Sequence, residues 1–172
     1  MGSKKIEIVF HDDTIVNNLK DNDLIAEIIK SNKSILNAYY VNNFSEVTKK
    51  VLNGKNGVFA MFGTTENGAK KIIVDDKFIS LFNSGNKDVC KGILAHEYGH
   101  YVDDKAKKQY SNDLNGFLKA DVSADRNGAE ATTKKTVIKA LEYIKEYYEE
   151  LKSDKLGGTI QMLEHRLNEL KK

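Results

Sequence analysis

The sequence predicts an α+β fold that is mostly helical and carries a small β-sheet. Apolar residues recur every three or four positions over most of the second half of the chain, which indicates amphipathic helices. Two short apolar runs flank Asn67-Gly68, a turn signal typical of a β-hairpin. The chain contains no proline, so helix ends must be predicted from Gly, Asn, Asp and Ser.

The composition predicts a single globular domain over residues 1–172. A hydrophobic content of 40% and a charged content of 30% are ordinary for a globular chain of 172 residues. The net charge of +2, from 27 basic and 25 acidic residues, gives no long-range field that would attract nucleic acid. No nucleic-acid partner is therefore predicted, and nothing in the composition predicts an oligomeric state.

The compartment is predicted from the start of the chain and its single cysteine. Met1-Gly2-Ser3 is typical of a cloning remnant, and no apolar signal region follows it. No run approaches the roughly 20 apolar residues that are needed to cross a bilayer. Cys90 cannot form an internal disulfide, which fits a reducing compartment. We expect a cytoplasmic protein, although a signal peptide that had been removed would leave the same pattern.

The first half of the chain is predicted to contain a strand, helices and the hairpin. In residues 4–10 the apolar side chains of Ile6, Ile8 and Phe10 share one side, as in a strand with one buried face. Between residues 14 and 53 the apolar spacing becomes helical, which predicts helices there. The later part of that stretch shows this spacing in Ile35, Leu36, Tyr39 and Tyr40. The apolar runs at 57–63 and 71–74 are the predicted hairpin strands.

Three helices are predicted towards the end of the chain, at 114–131, 136–151 and 159–170, with Gly157-Gly158 separating the last two. The apolar stripes of the last two helices are Val137, Leu141, Ile144, Tyr148 and Leu151, and Ile160, Leu163, Leu167 and Leu170. We expect both stripes to pack in the core, because each lasts only about two of the three or four heptads that a coiled coil needs.

A further helix, predicted to begin after Asn86, carries the motif His96-Glu97-Tyr98-Gly99-His100. Its two histidines are four residues apart, so both imidazoles leave the same helix face one turn apart. That spacing suits two nitrogen ligands of a tetrahedral zinc ion. Glu97 lies about 100° around the axis from His96, where a carboxylate could act as general base on a metal-activated water. Gly99 removes bulk, so that another element could approach closely.

The alternative interpretation of the two histidines is a hydrogen-bonded pair that binds no metal. The motif is specific, because a chance match is rare in a chain with 4 histidines. The residues that lead into it are apolar, namely Val89, Ile93, Leu94 and Ala95. The helix is therefore predicted to be buried where the histidines begin, and buried histidines without partners are costly. This favours the metal site.

A catalytic zinc site needs a third protein ligand and an open position for water. Asp121 and Asp125 share a face of the next helix, so one could bind metal while the other orients a ligand histidine. The alternative is a solvated acidic face, which residue type alone favours. Glu130 is a rival ligand, but it lies about 180° around the helix from Asp121.

Two segments resemble HtpX-like and CAAX-prenyl-protease-type zinc metallopeptidases. The segment that ends in "ILAHEYGHYVDD" is similar to the catalytic core of this family, and "DVSADRNGAEATTKKTVIKALEYI" is similar to its E-x-x-A-D-R helix. The resemblance implies that His96 and His100 bind zinc. It also implies that Glu97 is the general base and that Asp125 supports a ligand histidine. The family's ligand glutamate falls on Asp121, which is one methylene shorter, so this helix must lie closer to the histidines or bind the metal less well.

The segment "GTIQMLEHRLNEL" resembles the family's T-H-P-x-x-x-x-R-I segment. Arg166 matches its arginine, whereas Ile160 and Gln161 replace its histidine and proline. This implies an electrostatic role for Arg166, and the alternative is a surface arginine among many charges. The other candidates for stabilising a developing oxyanion are Tyr110, Tyr143 and Tyr147, and spacing does not choose among them.

The resemblance covers residues 56–170 and implies a compact, minigluzincin-like version of the family without membrane helices. Such proteins have a mostly helical, zincin-like fold in which a small sheet edges the active-site cleft, and residues 57–74 would be that hairpin. The implied function is a zinc-dependent metalloendopeptidase that acts on a peptide or protein substrate. Two other functions stay open: a catalytically idle zinc-binding module for regulation or protein interaction, and a helical interaction protein without metal.

The remaining histidines and the cysteine are weaker candidates for chemistry. His11 and His165 lie far from the motif in sequence and are expected at the surface. Cys90 precedes His96 on a different helix face and is expected to be a small core residue rather than a reactive thiol.

Overall fold

The structure is a computed structural model that describes residues 7–11, 35–40, 59–64, 70–74, 76–152 and 154–172. Its internal contacts divide the chain into two compact units, Met1–Lys87 and Asp88–Lys172. The expectation of a single domain stays a prediction.

The first unit contains a four-stranded sheet in the order β1-β2-β4-β3. Its strands are β1 (Glu7–His11), β2 (Ile35–Tyr40), β3 (Ala60–Thr64) and β4 (Lys70–Val74). β2 pairs in parallel with both β1 and β4. β3 and β4 are consecutive and pair antiparallel, as the strands of the predicted hairpin must. β1 overlaps the strand predicted at 4–10. The turn at 65–69 lies outside the described residues.

The helix predicted at residues 35–40 is wrong, because these residues form β2. This strand has a hydrogen-bonded neighbour on each side. Interior strands of parallel sheets carry nearly continuous apolar runs instead of alternating ones. The spacing of apolar residues in such a short segment does not distinguish a strand from a helix. The other residues of the helices predicted at 14–53 lie outside the described residues.

A helix that the sequence analysis did not predict, α1 (Asp76–Asn83), follows β4. Its end is defined by Gly85, whose φ of 89° lies in the left-handed region that favours glycine. The backbone N–H of Asn86 donates to the Leu81 carbonyl at 3.2 Å, and that of Gly85 donates to the Phe82 carbonyl at 3.4 Å. These two bonds form a Schellman motif, which explains why the helix stops there.

The second unit consists, in the described part of the chain, of four α-helices. They are α2, which starts at the boundary (Lys87–Lys105), α3 (Leu114–Ala131), α4 (Lys134–Glu150) and α5 (Gly157–Lys171). The side chains of Asp113 and Thr133 cap α3 and α4 by accepting backbone N–H bonds from Gly116 and Thr136. The predicted helical character of this half is confirmed. Among the described helices, none combines the length and the apolar character that would be needed to cross a membrane.

Gly157-Gly158, predicted to separate the last two helices, instead lies in the first turn of α5. The separation occurs earlier, where Lys152 takes a φ of 48° and a 3-10 turn follows at Asp154–Leu156. Glycine costs less in a first turn than in a helix interior, because first-turn N–H groups lack intrahelical partners in any sequence. Since α4 ends at Glu150, Leu151 does not belong to its buried stripe and is exposed.

The core of the second unit joins three of its helices. Its buried members are Ala95, Val137, Leu141, Leu163, Leu167 and Leu170, and the partly buried residues packed against them include Ala129, Ile144 and Tyr148. The prediction that the apolar stripes of α4 and α5 pack in the core is confirmed for these residues. A fully buried Val or Leu contributes about 1.5–3 kcal/mol, so this cluster fixes α5 against α2 and α4.

The backbones of α2 and α3 are in direct contact at two glycines. A Cβ atom placed on Gly99 would overlap the carbonyl oxygen of Ala124, and one placed on Gly128 would overlap the carbonyl oxygen of Ala95. Any larger side chain at either position would separate the helices. The close approach predicted at Gly99 is therefore confirmed, and the element that approaches is α3.

Replacing Gly99 by alanine should lower the free energy of unfolding by about 1–3 kcal/mol, because the new Cβ overpacks the helix contact. The higher helix propensity of alanine, worth about 1 kcal/mol, acts in the opposite direction. Urea denaturation followed by circular dichroism measures the difference. Gly158→Ala is the matched control, since a Cβ there meets no atom within 4 Å. Equal stability of the two variants would contradict the backbone contact.

Candidate metal centre

Two imidazoles and one carboxylate converge where α2 and α3 are in contact. The Nε2 atoms of His96 and His100 are 3.0 Å apart. Oδ1 of Asp121 lies 3.4 Å from Nε2 of His96 and 3.1 Å from Nε2 of His100. These three atoms form a nearly equilateral triangle of potential metal ligands.

The triangle has dimensions that suit a zinc ion. Ligand atoms at about 2.0–2.1 Å from a tetrahedral zinc lie about 3.3 Å from one another. The observed separations of 3.0, 3.1 and 3.4 Å are close to this value. Imidazole nitrogen and carboxylate oxygen are both zinc ligands, and three protein ligands leave a position open for water or substrate. The residues present therefore fit the zinc ion that the resemblance implies.

The register of the two helices brings the three side chains together. His96 and His100 stand one turn apart on α2, and Gly99 lets the α3 backbone at Ala124 approach that turn. Asp121 lies one turn before this contact, so its short side chain reaches both imidazoles. The expectation of a closer helix or of weaker metal binding stays a prediction.

Asp125 contacts the other ring nitrogen of His96. The carboxylate is 2% exposed, and its Oδ1 accepts a hydrogen bond from Nδ1 of His96 at 2.7 Å. Burial opposes its ionisation, but Arg166 and His96 more than compensate and lower the pKa of Asp125 to about 2. An ionised carboxylate only accepts hydrogen bonds, so Nδ1 carries the hydrogen. In the neutral ring, Nε2 then presents its lone pair to the triangle.

Arg166 of α5 binds the same carboxylate through two donors. Its Nε donates to Oδ2 of Asp125 at 2.8 Å, and one amino group donates to Oδ1 at 2.9 Å. Its other amino group lies 3.9 Å from Oδ2 of Asp121. The Arg166 side chain is only 12% exposed, so the surface-arginine alternative is wrong. The solvated-face alternative is also wrong for Asp125, which is buried.

Glu97 lies beside the triangle rather than in it. Its Oε1 is 4.0 Å from Nε2 of His96, and the residue is buried. A carboxylate at this distance can reach a water molecule or a substrate group at the same site through a hydrogen bond. The structure thus brings together all six residues that the sequence singled out for the site: His96, Glu97, His100, Asp121, Asp125 and Arg166.

The centre as a whole favours positive charge. Burial and the Arg166 cation lower the pKa of His96, but the carboxylates of Asp125 and Asp121 outweigh them and raise it to about 10. Burial alone would raise the pKa of Asp121, but hydrogen bonds from His100 and His96 hold it well below its ordinary value. A proton therefore binds where a metal ion would bind, and metal must displace it.

A second hydrogen-bond network, which the sequence analysis did not predict, fastens α2 to α3. The buried Asp103 carboxylate accepts from the Tyr110 hydroxyl at 2.8 Å and from the Asn127 side-chain amide at 2.9 Å. The same amide donates to the Gly99 carbonyl at 3.1 Å. This fixes the turn of α2 that carries His100. Asp103 and Asn127 lie in the quoted segments, but the resemblance assigns them no role, so only the packing of the helices reveals it.

The remaining candidates lie outside the triangle. Glu130, the rival third ligand, is exposed on α3 and is not part of the cluster. His165 is exposed, as expected. His11 lies on β1 in the first unit, and its side chain is outside the described residues. Cys90 is fully buried, which confirms its expected place in the core.

Replacing Asp125 by asparagine should weaken zinc binding about 10–100-fold, because the variant no longer fixes the His96 ring with a carboxylate. Competition with a chelator of known zinc affinity measures the change. Glu130→Gln, an exposed change on the same helix, is the matched control and should keep wild-type affinity. Identical affinities of the Asp125→Asn variant and the wild type would contradict the orienting role.

The Cys90 thiol should resist an aromatic disulfide reagent in the folded protein at neutral pH. Burial raises the pKa of this thiol to about 12, so the reactive thiolate is scarce as well as inaccessible. In guanidinium chloride, one thiol per chain should react. Rapid reaction without denaturant would show that the buried segment of α2 opens easily.

No family model, no curated protein and no solved structure matches this chain. The resemblance therefore rests on the quoted motifs alone. What the centre can do is inferred from its own geometry, which is that of a candidate three-ligand metal site with a carboxylate beside it.

Proposed function

We propose that the chain is a zinc-dependent metalloendopeptidase that hydrolyses bonds in a peptide or protein substrate. The observation that carries this proposal is the place of Glu97, buried beside three converging ligand atoms. Structural zinc sites are usually closed by four protein ligands and need no acidic neighbour. An open position flanked by a carboxylate is instead the arrangement that hydrolysis requires. The motif resemblance supports the same reaction.

Each side chain has its own role in the proposed reaction. His96, His100 and Asp121 would hold the zinc ion, which when bound would supply Lewis-acid activation of a water molecule and of the scissile carbonyl. Glu97 accepts a proton from the attacking water and passes it to the leaving amine. Asp125 holds the His96 ring so that Nδ1 keeps its hydrogen and Nε2 faces the ligand triangle.

Arg166 supports this arrangement by positioning the two aspartates. It is bonded to both oxygens of Asp125, and it also lies near Asp121. A buried cation beside two carboxylates keeps both ionised, which their ligand and orienting roles require. Its two bonds to Asp125 orient the guanidinium.

A catalytically idle zinc-binding module is the second candidate function. The observation that favours it is that Arg166 commits two donors to Asp125 instead of to a substrate carbonyl. Ile160 also stands where the resembling family has a histidine, and Asp121 stands where it has a glutamate. In this function, zinc would stabilise the contact between α2 and α3, and the domain would act by binding a partner.

Glu97→Gln should lower kcat for peptide hydrolysis by about 10²–10⁴-fold. Glutamine keeps the shape of the side chain but cannot accept the proton. Cleavage of a mixture of denatured proteins, read by mass spectrometry, measures activity, and elemental analysis measures zinc per chain. Zinc content should stay unchanged, because Glu97 is not one of the three ligands.

Glu130→Gln is the control for this experiment and should keep full activity, because this glutamate is exposed and outside the cluster. A Glu97→Gln variant that retains both zinc and activity would rule out the mechanism. A wild-type protein that holds zinc but cleaves nothing would favour the idle module. A wild-type protein without zinc affinity would favour the helical interaction protein.

A further inference from the structure

The helix face that carries Asp121 continues towards the start of α3 as an exposed apolar surface. Leu114 is 74% exposed and Phe117 is 40% exposed. At about 100° per residue, they lie about 20° and about 40° around the axis from Asp121. Both therefore stand on the side of α3 that contributes the ligand carboxylate.

Exposed large hydrophobic residues are few in the described part of the chain, and two of the three lie on this surface. The third, Leu151, stands at the C-cap of α4, where the helix ends. Folding does not require apolar side chains at such exposed helix positions. A neighbouring pair of them leading to a candidate catalytic centre is better explained by a ligand than by the fold.

The start of α3 is held in place, so this surface has a defined position. The Asp113 carboxylate accepts from the backbone N–H of Gly116 at 2.7 Å and from the Ser111 hydroxyl at 2.8 Å. Gly116 lies so close to the Ser111 backbone that a Cβ would overlap it. A rigid helix start lowers the entropic cost of ordering Leu114 and Phe117 when a ligand binds.

The helical rise sets the reach of this surface from the metal centre. At about 1.5 Å per residue, Phe117 and Leu114 lie about 6 Å and about 10 Å along the axis from Asp121. An extended peptide advances about 3.3 Å per residue. A peptide that runs along α3 with its scissile bond at the ligand triangle therefore places a side chain about two or three residues away beside these two residues.

We propose that Leu114 and Phe117 form an apolar subsite that selects a large apolar side chain two or three residues from the scissile bond. The inference rests on the proposed peptidase function, because the metal centre defines where the bond is cleaved. The substrate class is extended peptides with leucine, isoleucine, phenylalanine or methionine at that position. Burying one such side chain against the subsite gives about a tenfold preference over glycine.

Cleavage-site profiling tests the selection directly. The zinc-loaded protein is incubated with synthetic peptides of randomised sequence, and the products are identified by mass spectrometry. Large apolar residues should be enriched about tenfold over glycine at one position two or three residues from the cleaved bond. The Leu114→Ser/Phe117→Ser double variant should reduce this enrichment to below about twofold.

Leu151→Ser is the matched control, since it removes an exposed leucine from the end of a different helix and should keep the wild-type enrichment. Phe117→Leu keeps an apolar side chain and should also retain the preference. Both subsite residues are exposed, so the double variant should fold and hold zinc as the wild type does.

A binding measurement separates the subsite from the catalytic proposal. The probes are short peptides that end in a hydroxamate, a group that chelates zinc. Each peptide consists of glycine and serine residues with one leucine, and the position of that leucine differs from probe to probe. Calorimetry should show about tenfold tighter binding when the leucine stands two or three residues from the hydroxamate. The double variant should lose this difference, and Leu151→Ser should keep it. A zinc-loaded protein that cleaves nothing but keeps the difference would overturn the peptidase function and support the subsite.

Two results would overturn the subsite. One is equal affinity for all leucine positions in the wild type, or a preference that the double variant leaves unchanged. The other is a dimer in sedimentation velocity that the double variant dissociates, because a second copy of the chain would then cover this surface.

Discussion

The contact between the backbones of α2 and α3 is the constraint on which the candidate centre depends. Gly99 and Gly128 remove the side chains that would otherwise separate the two helices. Aspartate has the shortest acidic side chain, so Asp121 reaches the imidazoles only because the helices touch. The same proximity brings Asp125 to the ring of His96. One steric condition therefore sets both the ligand triangle and the carboxylate that supports it.

Charge balance explains how the carboxylates of Asp121 and Asp125 can both be ionised in a partly buried centre. Without a cation, two neighbouring carboxylates would repel each other and one would take up a proton. Arg166 provides that cation between Asp125 and Asp121. It belongs to α5, which is held by core residues on the same helix: Leu163, Leu167 and Leu170. The hydrophobic packing that holds α5 thus also helps to keep both carboxylates ionised.

Sequence alone predicts the parts of this molecule that depend on local spacing. The helix at 114–131 has the observed bounds of α3, because its periodicity is a property of neighbouring residues. At residues 35–40 the helical spacing predicts the wrong element, since an interior strand shows no distinctive period. Contacts between residues that are distant in sequence are harder to predict, and Arg166 and Asp125 are 41 positions apart. Only Gly99 hinted at helix packing, and nothing in the pattern identified the arginine's partner.

The place of Arg166 on α5 also has a consequence for the order in which the centre is completed. A growing chain releases both histidines and the two aspartates before it releases this arginine. Until α5 docks, the carboxylates lack their buried counter-charge, and Asp125, which orients the His96 ring, lacks its two bonds to Arg166. A nascent or truncated chain without α5 would therefore carry the ligand side chains but not the complete site. The centre is completed only when α5 packs against the other helices.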